Sequence, residues 1–239
     1  MTTIESFAMS QVLPGGFRMP TRMTALPLED GGVALVSPIR LTTDVVARVE
    51  ALGPVRFLVA PNLLHHLYLA EATTRWPEAR VLAPRGLTKK CPELRIDALL
   101  EDGLPEALAA TVRAVKIEGA PSVDEHVFFH EPSRTVILTD LVFNVTRPEG
   151  LVAHVALWLV GCHGKLGQSR AWRFFVKDRA EAARSARALL ALPFDSAVVA
   201  HGEVVESGAH ALVARALGWM AGGDALASSS ATSRPSRSA

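Results

Sequence analysis

Four polar residues stand where three apolar segments of the sequence end. His65 and His66 follow the first of these segments. Asp140 follows the second and His201 the third. Polar residues that follow the strands of a sheet gather at its edge, where binding and catalytic sites form. Imidazole and carboxylate ligands suit Zn²⁺, Fe²⁺ or Mn²⁺ better than Ca²⁺ or Mg²⁺, which prefer oxygen. The pattern therefore predicts a metal site.

The two adjacent imidazoles can reach one metal ion only from a loop or from the first turn of a helix. In a β-strand, His65 and His66 would point to opposite faces, and within a helix they would diverge by about 100°. Asn62 is a good helix N-cap, so we predict a helix from Asn62 to about Trp76 with both histidines in its first turn. The helix dipole there disfavours imidazolium and keeps the rings neutral, as metal ligands must be.

Strand and helix patterns alternate along the chain and predict a mixed α/β fold. Residues 29–32 form a turn signal between two apolar strands, and Thr42 can cap the next helix, which Gly53 ends. Asp178 with Glu181 resembles a capping box for a later helix. The predicted strands are 23–26, 33–36, 55–60, 80–83, 111–117, 126–130, 135–139 and 197–200, and the predicted helices are 42–52, 62–76, 151–160, 178–193 and 207–220. Hairpins and crossover helices both occur, which indicates a layered α/β domain.

Composition limits the classes of function. Apolar residues make up 49% of the 239 residues and charged residues 21%, which is ample for a buried core. The formal net charge is only +1, so neither nucleic acid nor a membrane is expected as a partner held through bulk charge. The N-terminus lacks a secretory signal pattern, and the longest apolar run, residues 151–161, is too short to span a bilayer. We therefore expect a cytoplasmic location.

The cysteines and the chain ends carry little chemistry. Cys91 and Cys162 are far apart and form no CxxC pair, which favours two free, buried thiols in a reducing compartment. Residues 1–15 are expected to be an N-terminal lead-in, and residues 222–239, rich in Gly, Ala and Ser, a disordered tail. One domain is predicted between them, over residues 16–221.

Two further histidines are weaker candidates for chemistry. His126 and His130 would lie on one face of a predicted strand, with Phe128 between them. We expect this face to be a solvent-facing stripe rather than a second site.

The order and spacing of the candidate ligands resemble the metallo-β-lactamase-like hydrolase superfamily, whose fold is an αββα sandwich. In that superfamily a strand runs into an HxHxDH motif, and a lone histidine, an aspartate and a final histidine follow later. Here the motif falls on residues 61–66, so that His66 takes the place of its last histidine and His65 the place of its aspartate. Asp140 and His201 match the later aspartate and the final histidine. The resemblance covers roughly residues 17–221 and implies the same αββα sandwich.

Three superfamily positions carry residues that cannot bind a metal. Pro61 and Leu63 stand at the first two histidines of the motif, and Ala120 stands at the lone histidine. The resemblance therefore implies that the first of the family's two metal positions is empty. The second position retains four residues able to bind a metal, which implies at most one ion of Zn, Fe or Mn held by His65, His66, Asp140 and His201. The chain looks like a divergent, uncharacterised branch of the superfamily with an incomplete HxHxDH motif.

The ligand set leaves several functions open. A mononuclear metal-dependent hydrolase would activate water against an ester, thioester, amide or phosphodiester of an unknown small-molecule substrate. Four protein ligands would close a tetrahedral site, so such an enzyme would have to release one ligand or expand the coordination. Alternatively, the protein is a non-catalytic binding or regulatory module that retains the fold around a polar cluster without metal. An iron-based redox role is a third hypothesis, because the same ligands suit iron.

Overall fold

The first half of the chain builds a six-stranded sheet. The computed structural model describes residues 3–12 and 18–222. The strands of this sheet run in the order β1-β2-β3-β4-β5-β6 and comprise Glu5–Val12 (β1), Arg18–Pro27 (β2), Val33–Val36 (β3), Val55–Val59 (β4), Arg80–Ala83 (β5) and Ala98–Leu99 (β6). The first three strands are antiparallel, and β3 to β6 are parallel because longer connections cross over between them.

The second half builds a four-stranded sheet in the order β10-β9-β8-β7. Its strands are Val112–Lys116 (β7), His126–His130 (β8), Thr135–Leu138 (β9) and Ser196–Val199 (β10). Strand β10 runs parallel to β9, whereas the β7–β8 and β8–β9 pairs are antiparallel. The carboxyl ends of β9 and β10 therefore lie at the same edge, and the chain continues from them to Asp140 and His201.

Eight α-helices and one short 3-10 helix at Leu100–Asp102 connect the strands within the described residues. The α-helices are Thr43–Leu52 (α1), Leu69–Arg75 (α2), Arg85–Lys90 (α3), Glu106–Ala109 (α4), Gly150–Val160 (α5), Trp172–Phe175 (α6), Arg179–Leu190 (α7) and Ala209–Ala221 (α8). Two of the helices have the N-terminal caps that the sequence predicts. The Thr42 hydroxyl accepts a hydrogen bond from the Val45 N–H, and the Asp178 carboxylate accepts from the N–H groups of Ala180 and Glu181.

Three apolar layers confirm the predicted αββα sandwich. One layer lies between the two sheets and joins residues such as Phe57 and Leu82 to Phe128 and Val198. A second layer packs α1, α2 and α3 on the outer face of the six-stranded sheet. The third packs α7 and α8 on the outer face of the four-stranded sheet. The alternation of side chains along each strand makes this possible, because neighbouring residues face opposite layers.

Two predicted helix starts are wrong. The helix predicted from Asn62 begins only at Leu69, because the segment before it is tied to other parts of the chain. The Leu63 N–H donates to the Val123 carbonyl, and the Pro61 carbonyl accepts from the His126 N–H, which together hold an irregular loop. The last helix begins at Ala209 after Gly208, without the predicted side-chain cap from Ser207.

The prediction that His126 and His130 face solvent is also wrong. Their strand, β8, is buried along its whole length, and alternation places both rings on the side of Phe128, between the two sheets. His130 Nδ1 pairs with the Ser133 hydroxyl at 2.7 Å. Burial lowers the pKa of both histidines, so each ring is held in its neutral form. The hydrophobic faces of neutral imidazoles fit an apolar layer.

The predicted N-terminal lead-in contains a strand. Within residues 1–15, Glu5–Val12 forms β1 and pairs with β2 along its whole length. Its register joins Glu5 to Ala25 and Val12 to Arg18, so this part of the predicted lead-in is an edge strand of the sheet. The tail predicted for residues 222–239 lies outside the described residues apart from Gly222.

Both cysteines are free and buried, as predicted, and Cys162 lends itself to a test. It packs with Val145 and Leu157 beneath α5, and burial raises the pKa of its thiol to about 11, although Lys165 and Arg170 oppose the shift. Only a thiolate alkylates quickly, and at pH 8 a thiol of such a pKa is about one part in a thousand ionised.

We therefore expect iodoacetamide to leave Cys162 unmodified in the folded protein at pH 8 and to modify it in urea. Labelling of the folded protein should rise only as the pH approaches the raised pKa of this thiol. Peptide mass spectrometry of the Cys162 peptide measures both states. Labelling of the folded chain at the rate of a free cysteine would contradict the buried position.

Candidate metal centre

Three of the four predicted ligands meet at the edge shared by the two sheets. His65 comes from the loop after β4, Asp140 follows β9, and His201 follows β10. His65 Nε2 lies 3.1 Å from His201 Nε2 and 3.4 Å from Asp140 Oδ2. His201 Nε2 lies 3.3 Å from Asp140 Oδ1. Within the described part of the chain, this is the one group of three or more His, Cys, Asp or Glu side chains with convergent donor atoms.

The spacing of these donors suits a tetrahedral metal ion. Ligand atoms about 2.0–2.1 Å from a tetrahedral ion lie roughly 3.3–3.4 Å from one another. The two imidazole nitrogens are 3.1 Å apart, His65 Nε2 is 3.4 Å from Asp140 Oδ2, and His201 Nε2 is 3.3 Å from the other oxygen, Oδ1. With one oxygen of Asp140 as the donor, all three donor atoms lie within 4.8 Å of one another. Two imidazole nitrogens and one carboxylate oxygen also form a donor set that Zn²⁺, Fe²⁺ and Mn²⁺ accept. The residues present therefore fit one ion with a fourth coordination position left free of protein.

Neighbouring groups orient both imidazoles. His201 Nδ1 lies 2.8 Å from the Pro20 carbonyl, which can only accept, so Nδ1 carries the proton and Nε2 offers a lone pair to the site. The Phe143 ring stacks on His201 with centroids 4.9 Å apart. His65 Nδ1 lies 2.6 Å from the Ser37 hydroxyl, which likewise leaves its Nε2 facing the site. Each ring is thus held through the nitrogen that faces away from the other ligands.

Asn62 connects the histidine loop to the aspartate. Its side-chain oxygen accepts hydrogen bonds from the N–H groups of Leu64 at 2.8 Å and His65 at 2.7 Å, which shapes the tight turn that aims His65. Its amide nitrogen donates to Asp140 Oδ2 at 2.7 Å and to the Thr139 hydroxyl at 3.1 Å. Asn62 is fully buried, so these bonds are shielded from water. The residue predicted to cap a helix therefore caps a turn and joins two ligands.

A buried glutamate holds the turn that carries Asp140. Glu125 is 0% exposed and accepts hydrogen bonds from the backbone N–H groups of Thr139, Asp140 and Leu141 at 3.0, 3.0 and 3.1 Å. Asn62 Nδ2 lies 3.3 Å from the same carboxylate. Four donors thus converge on one side chain and fix the position of Asp140 at the end of β9.

The two carboxyl groups have opposite pKa shifts. Burial, followed by the charge of Asp140, raises the pKa of Glu125 to about 7, against the opposing backbone hydrogen bonds. Burial alone would also raise the pKa of Asp140. His65 and His201 outweigh that effect and hold its pKa well below the usual range. Asp140 is therefore an ionised carboxylate at neutral pH, as a metal ligand must be.

His66 lies away from the other three predicted ligands. Its ring nitrogens are 3.8 and 3.9 Å from Cys91 Sγ at the end of α3, and it is not a member of the convergent group. Burial, followed by the charge of Lys90, lowers the pKa of His66. The turn that Asn62 caps explains the difference, because it turns only the first of the two adjacent side chains towards Asp140. The structure therefore supports a set of three protein ligands.

The superfamily positions without ligands are filled by apolar packing. Leu63 packs in the layer beneath α2 and α3, and Ala120 packs in the layer beneath α7. Pro61 is also buried, and its carbonyl pairs with the backbone of β8. None of these three side chains offers a donor atom to a metal.

The cluster opens into a cavity of about 300 Å³. Most of the lining is apolar, and Leu64 and Leu67 are partly exposed at its mouth. No Lys or Arg among residues 3–12 and 18–222 lines this cavity. The side chains that line it are Gln11, Met19, Thr21, Ser37, Pro38, Ile39, Leu64, His65, Leu67, Tyr68, Asp140, Phe143 and His201.

Several functional neighbours were absent from the sequence predictions. Glu125, Ser37 and Phe143 each contact a ligand or its supporting turn, but no local pattern singles them out. Trp172 Nε1 donates to the Asp140 carbonyl at 2.7 Å from a helix 32 residues further along the chain. Two acidic residues, Glu125 and Glu131, flank the apolar segment of β8, and Glu131 is exposed, so this position alone does not mark a buried carboxylate.

Comparison with known proteins identifies the fold. The sequence matches no protein-family model, and it matches no curated protein. The structure is similar to a metallo-β-lactamase from Pontibacter korlensis, with a TM-score of 0.64 and 13% identity over 93% of this chain and 96% of the other. It is similar to the FIM-1 metallo-β-lactamase from Pseudomonas aeruginosa in its mono-zinc form, with a TM-score of 0.60 and 12% identity over 91% and 92%.

A third structure extends the comparison. A metallo-β-lactamase from Erythrobacter litoralis has a TM-score of 0.60 and 15% identity, over 89% of this chain and 91% of the other. Identities this low leave the activity of the chain open, whereas coverage of nearly the full length in each comparison is informative about architecture. Together with the αββα layers and the convergent strand ends, they show that this chain has the metallo-β-lactamase fold.

Proposed function

We propose that the protein is a mononuclear metal-dependent hydrolase of uncharged carboxylic esters or thioesters. The observation that carries the proposal is the cluster of His65, Asp140 and His201, whose donor atoms lie within 4.8 Å of one another and which lines one cavity. Three protein ligands leave a coordination position open, which is typical of catalytic rather than structural zinc sites. The departure of His66 from the predicted set thus favours chemistry.

The surrounding residues would serve such a reaction in distinct ways. A divalent ion at this position would lower the pKa of a bound water and polarise a substrate carbonyl. Asp140 contributes a negative charge. The hydrogen bond that His201 Nδ1 donates to the Pro20 carbonyl and the contact of His65 Nδ1 with the Ser37 hydroxyl keep both Nε2 atoms directed at the site. Phe143 and the apolar lining exclude bulk water from one side of the cavity.

The cavity lining supports a carboxylic rather than a phosphoric ester. A phosphodiester carries a negative charge that sites usually meet with Arg, Lys or backbone N–H groups. The described lining contains no cationic side chain but seven apolar or aromatic ones, namely Met19, Pro38, Ile39, Leu64, Leu67, Tyr68 and Phe143. A neutral acyl group of modest size fits that environment better.

Turnover of paired chromogenic esters tests this function. The protein loaded with Zn²⁺, Mn²⁺ or Fe²⁺ should hydrolyse p-nitrophenyl butyrate at least about tenfold faster, in kcat/KM, than bis-p-nitrophenyl phosphate, because the apolar lining accommodates a neutral acyl chain and adds no cationic side chain to the charge of the metal ion. A chelator and the Asp140→Asn variant should each remove the activity. Faster hydrolysis of the phosphodiester would contradict the proposed substrate class.

A non-catalytic binding module is the second candidate function. It is favoured by the apolar packing of Leu63 and Ala120 at positions where the superfamily carries ligands. Bound metal without turnover of either ester would support this module and would overturn the hydrolase.

A further inference from the structure

Helix α5 is apolar on nearly every side, yet it lies at the surface. Apart from Gly150 and His154, every residue of Gly150–Val160 is apolar, and only Ala153 and Leu157 are buried. Five large side chains of this helix are at least half exposed: Leu151 (80%), Val152 (58%), Val155 (50%), Trp158 (68%) and Leu159 (57%). A helix that is hydrophobic all round is normally covered by protein or lipid.

Helix α6 follows α5 and carries a further exposed apolar side chain. The Arg170 N–H donates to the Val160 carbonyl at 2.8 Å, which ties the start of α6 to the end of α5. Phe174 on α6 is 77% exposed. The exposed apolar residues of the two helices, together with this turn, define the α5–α6 face. Contiguous apolar patches of this kind mark sites of interaction.

Cationic residues accompany α5 and α6 along the sequence. Arg170 donates to the Leu159 carbonyl of α5, and the Arg173 guanidinium lies over the Trp219 ring. Five exposed cationic residues lie in the segment 144–178, namely Arg147, Lys165, Arg170, Arg173 and Lys177. Among the described residues, no carboxylate lies within 4.0 Å of any of them. The segment contains only two acidic residues, Glu149 and Asp178, and Asp178 is engaged as the cap of α7. Elsewhere arginines such as Arg48 and Arg113 are paired with carboxylates. The net charge of this segment is therefore strongly positive although the whole chain is nearly neutral.

We propose that the α5–α6 face binds the surface of a bilayer that contains anionic lipid. Exposed Trp and Leu side chains would enter the boundary between headgroups and acyl chains, and the cations that accompany α5 and α6 would contact the anionic headgroups. Helix α5 has 11 residues, which gives a length of about 16 Å, so it would lie in the plane of the surface. No helix within the described residues has the length and apolar character needed to cross a membrane. This inference goes beyond the proposed function and does not depend on it.

The charges favour a lipid surface over a second copy of the chain. A two-fold symmetric interface places the same patch on both subunits. The cations that accompany one α5–α6 face would then lie near those of the other, which costs free energy through like-charge repulsion. An anionic bilayer instead offers both an apolar layer and the complementary charge. The nearly neutral net charge, from which no membrane was expected, conceals this local concentration of cations.

Co-sedimentation of the full chain with vesicles tests the proposal. We expect binding to vesicles of equal parts phosphatidylcholine and phosphatidylglycerol, little binding to phosphatidylcholine alone, and weaker binding at about 0.5 M than at about 0.1 M salt. Trp158→Asp should weaken binding at least about tenfold, because it removes a large apolar anchor from the boundary region. Lys165→Glu should weaken it by about fivefold or more.

Matched variants separate this face from general effects. Leu52→Asp replaces a partly exposed leucine on α1, and Lys89→Glu reverses an exposed charge on α3, so both should bind vesicles like the unchanged chain. Circular dichroism confirms that each variant is folded. Equal binding to neutral and anionic vesicles, or equal losses in the control variants, would overturn the proposal. A dimer in light scattering that Trp158→Asp dissociates, without vesicle binding, would overturn it in favour of a second copy.

Discussion

Asp140→Ala should remove the bound metal from the protein, whereas His66→Ala should leave the metal in place. Asp140 supplies the anionic oxygen of the three-donor cluster, and its loss leaves two neutral imidazoles. Substitution of a residue that only supports a metal ligand weakens metal binding by about 10- to 100-fold. We therefore expect substitution of a ligand itself to weaken metal binding by more than about 100-fold. His66 lies beside Cys91 and contributes no atom to the cluster.

Metal content and metal titration measure this difference. Protein purified with Zn²⁺ present and freed of excess metal should contain one ion per chain, both unchanged and as His66→Ala. Asp140→Ala, His65→Ala and His201→Ala should contain none. Equal loss in His66→Ala and Asp140→Ala would contradict the three-ligand site and restore the four-ligand set that the sequence predicts.

Glu125→Ala should lower the free energy of unfolding by about 3 kcal/mol or more, because a buried donor left without a partner costs about 1–3 kcal/mol. The substitution would leave the N–H groups of Thr139, Asp140 and Leu141 unpaired in a buried turn. Glu125→Gln keeps the shape and one accepting oxygen, so we expect a smaller loss.

Urea unfolding followed by circular dichroism measures this effect, and Glu131 provides the control. Glu125 directly precedes β8 and Glu131 directly follows it, but Glu131 lies at the surface and pairs with Arg113 in solvent. Glu131→Ala should change the free energy of unfolding by less than about 1 kcal/mol, since exposed ion pairs contribute little. Equal unfolding midpoints for Glu125→Ala and Glu131→Ala would show that the buried carboxylate does not hold the turn.

Local signals were sufficient wherever a residue acts on its neighbours in the chain. Thr42 and Asp178 cap helices as predicted, because a cap contacts N–H groups only two or three residues away. The ends of β9 and β10 could also be predicted, and they place Asp140 and His201 at one sheet edge. The resemblance to the metallo-β-lactamase-like superfamily likewise implied the αββα layers, which the structure confirms.

Local signals failed where a distant contact decides the path of the chain. The helix predicted from Asn62 is replaced by a turn because Asn62 bonds to Thr139 and Asp140, which are 77 and 78 residues away. That turn separates His65 from His66, so that only three of the four predicted ligands lie together. The solvent exposure of α5 could not be predicted from the sequence either, because a continuous apolar segment does not indicate which other elements cover it.

The sequence by itself determined eight of the ten strands, two of the helix caps and the two strand ends that carry Asp140 and His201. Those features follow from backbone preferences and from the alternation of side chains, which act within a few residues. Only the tertiary structure decided which histidine joins the site, which glutamate supports it and which helix remains uncovered. These outcomes depend on hydrogen bonds and packing between segments far apart in the chain, and such contacts exist only once the two sheets have come together.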